Sequence, residues 1–207
     1  NWDKNPKVIS FKPSAGDEII QYPVTGIKKF LVLDEMYESA IVRAESSPYQ
    51  FDQLDFDKEL KFRTDTIFLQ AVIEGEKSLY YYKDKNAKEH FYIKSGQEFE
   101  LLVYKKYLRE EDGKDLIKKN QKYIDQLNLY FNECPSIREK VFASEYKKRS
   151  LEKLFSLYYQ CTNKGVSFEK KEKVVTEIGL LAGVSMSELK FVSATAQFVY
   201  LSAAAYK

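Results

Sequence analysis

The chain has 207 residues and carries 33 Lys and Arg against 31 Asp and Glu, a formal net charge of +2. That length accommodates one sizeable domain, or a domain with a smaller attachment, and the charge balance removes the bulk attraction expected of a nucleic-acid-binding protein. No apolar run reaches the ~18 residues of a membrane-crossing helix, and no signal-peptide core stands at the N-terminus. The 16 Tyr and 14 Phe favour pleated, half-buried surfaces.

Residues 1–112 read as an antiparallel β-rich domain. Short apolar stretches run from Lys7 to Lys12, Glu18 to Tyr22, Ile27 to Leu33, Glu38 to Glu45, Thr66 to Glu74, Lys77 to Lys83, Lys88 to Lys94 and Glu98 to Leu108. Pro13 with Gly16, Pro23 with Gly26, Pro48, Asp84 with Asn86, and Gly96 punctuate them as turn residues do. The Asp84-Lys85-Asn86 turn folds Tyr80, Tyr81 and Tyr82 back onto His90, Phe91 and Tyr92, which predicts a hairpin with aromatic cross-strand pairs. Tyr80, Tyr81, Tyr82, Phe91 and Tyr92 are also a candidate platform for a ligand, although ordinary sheet packing accounts for them more simply.

After Gly113 the period changes from two to about 3.6. Leu116, Asn120, Tyr123, Leu127, Tyr130 and Cys134 recur at helical spacing until Pro135, predicting one amphipathic helix. Ser136 with Glu139 has the spacing of a capping box for a short helix through Phe142. A third helix from about Glu145 puts Leu151, Leu154, Phe155, Tyr158 and Cys161 on one face, with Gly165 as its expected left-handed cap. Residues 113–165 are thus a small helical segment. Folding its helices together brings Cys134 and Cys161 within reach of a disulfide, worth about 3 kcal/mol and permitted in an oxidising compartment. Two buried free thiols are the alternative.

Residues 166–207 read as a linker and a new element. Phe168 to Lys173 is a charged connector. Beyond it Ile178, Leu180, Ala182, Val184 and Met186 share one parity, and Gly179, Leu181, Gly183, Ser185 and Ser187 the other. An apolar face alternating with a small or polar one over roughly 9 to 11 residues is the pattern of a strand in an outer-membrane β-barrel. A buried soluble hairpin is the alternative. Thr195 to Tyr206 alternates less cleanly as a second such strand. Two strands cannot close a barrel, so the expectation is that the barrel is built onward past Lys207.

The stretches WDKNPKVISFK, VIEGEKSLYYYKD, HFYIK, LLVYKKYL, FNECPSI, LFSLYYQC and IGLLAGVS together resemble outer-membrane β-barrel proteins of Bacteroidota. The resemblance covers nearly the whole chain and implies an extramembrane, periplasmic domain ahead of a barrel. It carries no catalytic signature.

Other chemistry finds little support. A GxxxxGK[ST] phosphate loop is absent, and His90, the single histidine, has no nucleophile motif beside it. Asp52, Asp55, Asp57 and Glu59 lack the spacing of a calcium loop. Lys105, Lys106, Arg109, Lys118, Lys119, Lys147, Lys148 and Arg149 alternate with acids and read as a mixed surface rather than a lipid-phosphate patch. The expected function is therefore a non-catalytic outer-membrane structural or interaction protein, without cofactor or metal. Its soluble domain would dock on other outer-membrane or periplasmic proteins in a multi-subunit complex, with lipid contacted by the barrel strands. A soluble or lipid-anchored module for glycan, peptide or lipid is the alternative.

Overall fold

The computed structural model describes residues 5–170, all within one compact unit that ends at Lys171. The barrel strand expected at Ile178, Leu180, Ala182, Val184 and Met186 lies outside the described residues, as does the segment from Thr195 to Tyr206. Within them the fold is mixed α+β with antiparallel sheets, as the patterning predicts.

A hairpin of β1 (Val8–Phe11) and β2 (Ile20–Pro23) comes first. The main sheet then runs β3 (Lys29–Val32), β4 (Glu35–Glu45), β5 (Phe62–Glu74), β6 (Ser78–Lys83), β7 (Glu89–Ser95) and β8 (Glu98–Leu101), each antiparallel to the next. The start of the predicted charged connector is itself a strand, β11 (Phe168–Glu169), paired with β5 at Glu74 and Ile73. Period-two alternation gives each strand two faces. Ala40, Val42 and Ala44 of β4 share one cluster with Ile67 and Leu69 of β5, Tyr80 and Tyr82 of β6, Tyr92 of β7 and Leu101 of β8. Because β4 also contacts β8, the sheet curls around this cluster, although no closed barrel forms among the described residues. Small residues on β4 leave room for the tyrosine rings opposite.

The other face carries Val72, Leu79, Phe91 and Ile93, which pack under a helical layer. That layer comprises α1 (Tyr123–Tyr130), α2 (Arg138–Phe142) and α3 (Lys148–Thr162). Tyr123, Leu127, Leu151, Phe155 and Tyr158 point into it and are fully buried, each worth roughly 1.5–3 kcal/mol for a large apolar side chain. Tyrosine is favoured here for its polar end as well. Tyr130 donates to the Lys94 carbonyl at 2.7 Å and accepts from the Ser78 amide at 2.9 Å. Tyr159 does the same with the carbonyl and amide of Lys77, at 2.7 and 3.1 Å. Tyr146 donates to the Leu102 carbonyl at 2.8 Å and accepts from the Phe91 amide at 3.2 Å. The phenols thus satisfy strand backbone groups that would otherwise be buried without partners.

The structure corrects the reading of residues 98–165 in four places. Leu116 to Asn120 is not helix but part of β10 (Lys114–Asn120), which pairs with β9 (Lys105–Glu111). Asp112 and Gly113 between them have φ of 54° and 71°, the paired positive values of a tight two-residue hairpin turn, which Asp-Gly adopts readily. The single strand expected from Glu98 to Leu108 is consequently divided between β8 and β9. Ser136 does not cap α2, which starts at Arg138 without a side-chain cap; its hydroxyl lies 3.3 Å from the Cys134 sulfur and 3.4 Å from that of Cys161. Finally, α3 ends on Asn163, with φ of 51°, rather than at Gly165; an Asn tolerates the left-handed region and stops the helix two residues sooner.

Candidate functional site

Titratable groups gather at two places where β7 reaches across the curl to β4. At one, Lys94 Nζ is 2.7 Å from Glu38 Oε1, and the Tyr80 hydroxyl donates to Glu38 Oε2 at 2.8 Å. Burial, and then the carboxylate of Glu38, push the Tyr80 phenol far up, so it stays a donor.

The second place surrounds His90. Glu45 ends β4, Asp84 begins the β6–β7 turn and His90 lies opposite Tyr82 on β7. Asp84 Oδ1 accepts the amides of Asn86 at 2.8 Å and Lys88 at 3.0 Å, which fixes the turn. Its Oδ2 stands 3.4 Å from His90 Nε2, while Glu45 Oε2 stands 3.5 Å from Nδ1. Lys88 Nζ closes on Glu45 Oε1 at 2.5 Å. His90 is only 2% exposed. Burial alone would lower its pKa, but the flanking carboxylates of Asp84 and Glu45 outweigh that and raise it. The same contacts hold Glu45 and Asp84 below the usual carboxylate range, against the opposing effect of burial. A carboxylate faces each nitrogen, which favours the protonated ring, and Nδ1 makes no hydrogen bond. The neighbouring Tyr92 hydroxyl is buried and has no hydrogen-bond partner.

The aromatic hairpin pairs Tyr80 with Tyr92, Tyr81 with Phe91 and Tyr82 with His90. Tyr80 and Phe91 are 0% exposed, Tyr92 1% and Tyr82 9%, so the proposed platform is core on both faces of the sheet. Tyr81 alone is half-buried, and its hydroxyl donates to Glu89 at 3.0 Å. Cys134 and Cys161 form the expected disulfide, with Cα atoms 6.3 Å apart, joining the loop after α1 to the end of α3. In the acidic loop, Asp55 pairs with Lys105 at 2.9 Å and Lys61 at 3.2 Å. Among the described residues no group of His, Cys, Asp and Glu is arranged to hold a metal ion. Of the basic residues, Lys105 is buried to 1%, Lys118 pairs with Glu111 and Lys147 with Glu145.

Leu33, which the sequence pattern places at the end of a strand from Ile27, lies just beyond β3. It occupies the two-residue turn between β3 and β4 with φ of 55° and is 86% exposed. An apolar side chain in that conformation is uncommon, since the left-handed region brings Cβ against the carbonyl. Leu31 and Val32 beside it are exposed too, on the strand that ends the sheet. Only the positive φ, which sequence does not print, distinguishes Leu33 from its neighbours.

Comparison of the chain with family models, curated proteins and solved structures finds no match in any of the three.

Proposed function

We propose that residues 5–170 are a non-catalytic, disulfide-braced interaction module of a bacterial outer-membrane protein, which docks on other envelope proteins through the β3 edge. The observation carrying the docking surface is Leu33, an exposed apolar residue kept in a strained backbone conformation. Strain of that kind is retained where a side chain is needed in one place, and an unprotected apolar sheet edge is costly unless something covers it. The Cys134–Cys161 disulfide supports maturation in an oxidising compartment. The closed ion pairs around His90 support a bracing role for the groups best suited to chemistry. The barrel attachment follows from the alternation after Ile178.

The test is detergent fractionation of the native protein, run with and without heating on a gel, alongside a Leu33→Gly variant. An outer-membrane fraction with heat-modifiable mobility, and co-purifying envelope proteins lost in Leu33→Gly, is the expected result. Release without detergent would overturn the membrane attachment. Partners retained by the variant would overturn the docking edge.

A further inference from the structure

Where the β9–β10 ribbon joins the domain, an open groove of about 590 Å³ lies between Lys58 and Glu59 on one side and Lys119 to Asp125 on the other. Its two sides are tied together by buried polar contacts. Asn120 Nδ2 donates to the Lys58 carbonyl at 3.0 Å, and Lys105 Nζ donates to the Glu59 carbonyl at 2.8 Å. Lys105 is 1% exposed and Asn120 6%. These contacts hold the two walls of an open groove in fixed relation.

Its lining holds three lysines and two carboxylates. Lys119 and Lys106 are directly cross-strand neighbours, so their side chains leave the ribbon on one face. Like charges at that separation destabilise a pair of strands. Of the two, Lys119 lines the groove, and so do Lys58 and Lys122. None of the four has an ion-pair partner among the described residues, whereas Lys61, Lys118 and Lys147 do. Glu59 and Asp125 also line the groove, leaving an excess of one positive charge; Glu145 nearby is already taken by Lys147 at 2.6 Å. The remaining wall includes Ile124 and the ring of Phe142, which is 54% exposed and has the Arg138 guanidinium 5.9 Å from its centroid.

We propose that this groove binds an anionic saccharide, a sugar bearing phosphate or carboxylate. The anionic group lies among Lys58, Lys119 and Lys122, and the C–H face of the sugar ring lies on Phe142. The lysines explain the charge, the exposed aromatic explains why the ligand is not a bare ion, and the site is separate from the Leu33 edge.

Chemical-shift titration of the full chain tests it, with glucose 6-phosphate, glucose, inorganic phosphate and phosphatidylglycerol vesicles as probes. Glucose 6-phosphate is expected to shift groove amides in a saturable, salt-sensitive way, with glucose and inorganic phosphate at least tenfold weaker. Lys119→Gln combined with Lys122→Gln, and separately Phe142→Ala, should each weaken it about tenfold or more. Lys114→Gln at the ribbon tip should leave it unchanged, which also controls for ribbon folding. No saturable shift overturns the proposal. So does equal binding of inorganic phosphate that Phe142→Ala does not alter, which marks a simple anion site. Binding to vesicles alone, lost in the lysine double variant, replaces the saccharide with a membrane surface.

Discussion

At His90 the chemistry of one side chain sets a pH window. Its folded pKa is raised, so the stability it contributes is complete below its unfolded value near 6.5 and is lost as pH rises through the higher folded value. Glu45 and Asp84 behave in the opposite sense. Their folded values are lowered, so their contribution is complete above the unfolded carboxylate range and is lost as pH falls through the folded values. The cluster is therefore strongest between the two limits, in mildly acidic to neutral solution. His90→Gln removes the ring that faces both carboxylates and leaves the buried Glu45 and the half-buried Asp84 with one partner fewer. The expected cost is about 3 kcal/mol, as for breaking a buried ion pair. Urea unfolding across pH should show the basic-side decline in the wild type and its absence in His90→Gln. A decline that persists unchanged in the variant would assign it to another group. Leu33 makes a contrasting residue-scale prediction. Leu33→Gly relieves the left-handed conformation, a gain of about 1 kcal/mol from the backbone, and removes no buried contact, since the side chain is 86% exposed. An upward shift of the urea midpoint would identify Leu33 as a residue retained at the expense of stability.

Among elements, the β9–β10 ribbon is the one whose turn residue decides its existence. Gly113 has φ of 71° and open space around it, so a Cβ there meets no atom and the cost of Gly113→Ala is conformational alone, about 1–2 kcal/mol. A two-stranded ribbon has little core of its own. The loss should appear as faster amide exchange in β9 and β10, with a smaller change in the global midpoint. The ribbon also shows where the sequence was legible. The strands of the main sheet and their aromatic register could be read because alternation and turn residues agreed there. Leu116, Asn120 and Tyr123 satisfy a helical period by coincidence, and continuity with α1 hid the boundary. Asp112-Gly113 was the available signal, since that dipeptide closes hairpins. The disulfide was legible because Cys134 and Cys161 sit at the ends of apolar segments that must pack together. The bracing of His90 was not, because Glu45 is 45 residues away in sequence and only the curl of the sheet brings it near. Burial of Tyr80, Phe91 and Tyr92 likewise depends on what covers each face of the sheet, which alternation alone does not state.

On the scale of the molecule, the two cores share one sheet. β5, β6 and β7 give Ile67, Leu69, Tyr80, Tyr82 and Tyr92 to the curl, and Val72, Leu79, Phe91 and Ile93 to the helical layer. Neither core keeps its wall if the other unfolds, so residues 5–170 should unfold in one cooperative transition. The disulfide then stabilises the whole unit rather than the helices alone. Its sequence separation of 27 residues gives about 3.5 kcal/mol in the loop-entropy model. Cys134→Ser with Cys161→Ser should lower the urea midpoint measured by helical circular dichroism and by tyrosine fluorescence by the same amount, with the two curves still superimposed. A variant in which the helical signal melts first while the tyrosine signal is unmoved would show that the helical layer is an independent unit. It would also mean that tyrosine contacts such as Tyr130 to Ser78 and Lys94 do not couple the layers.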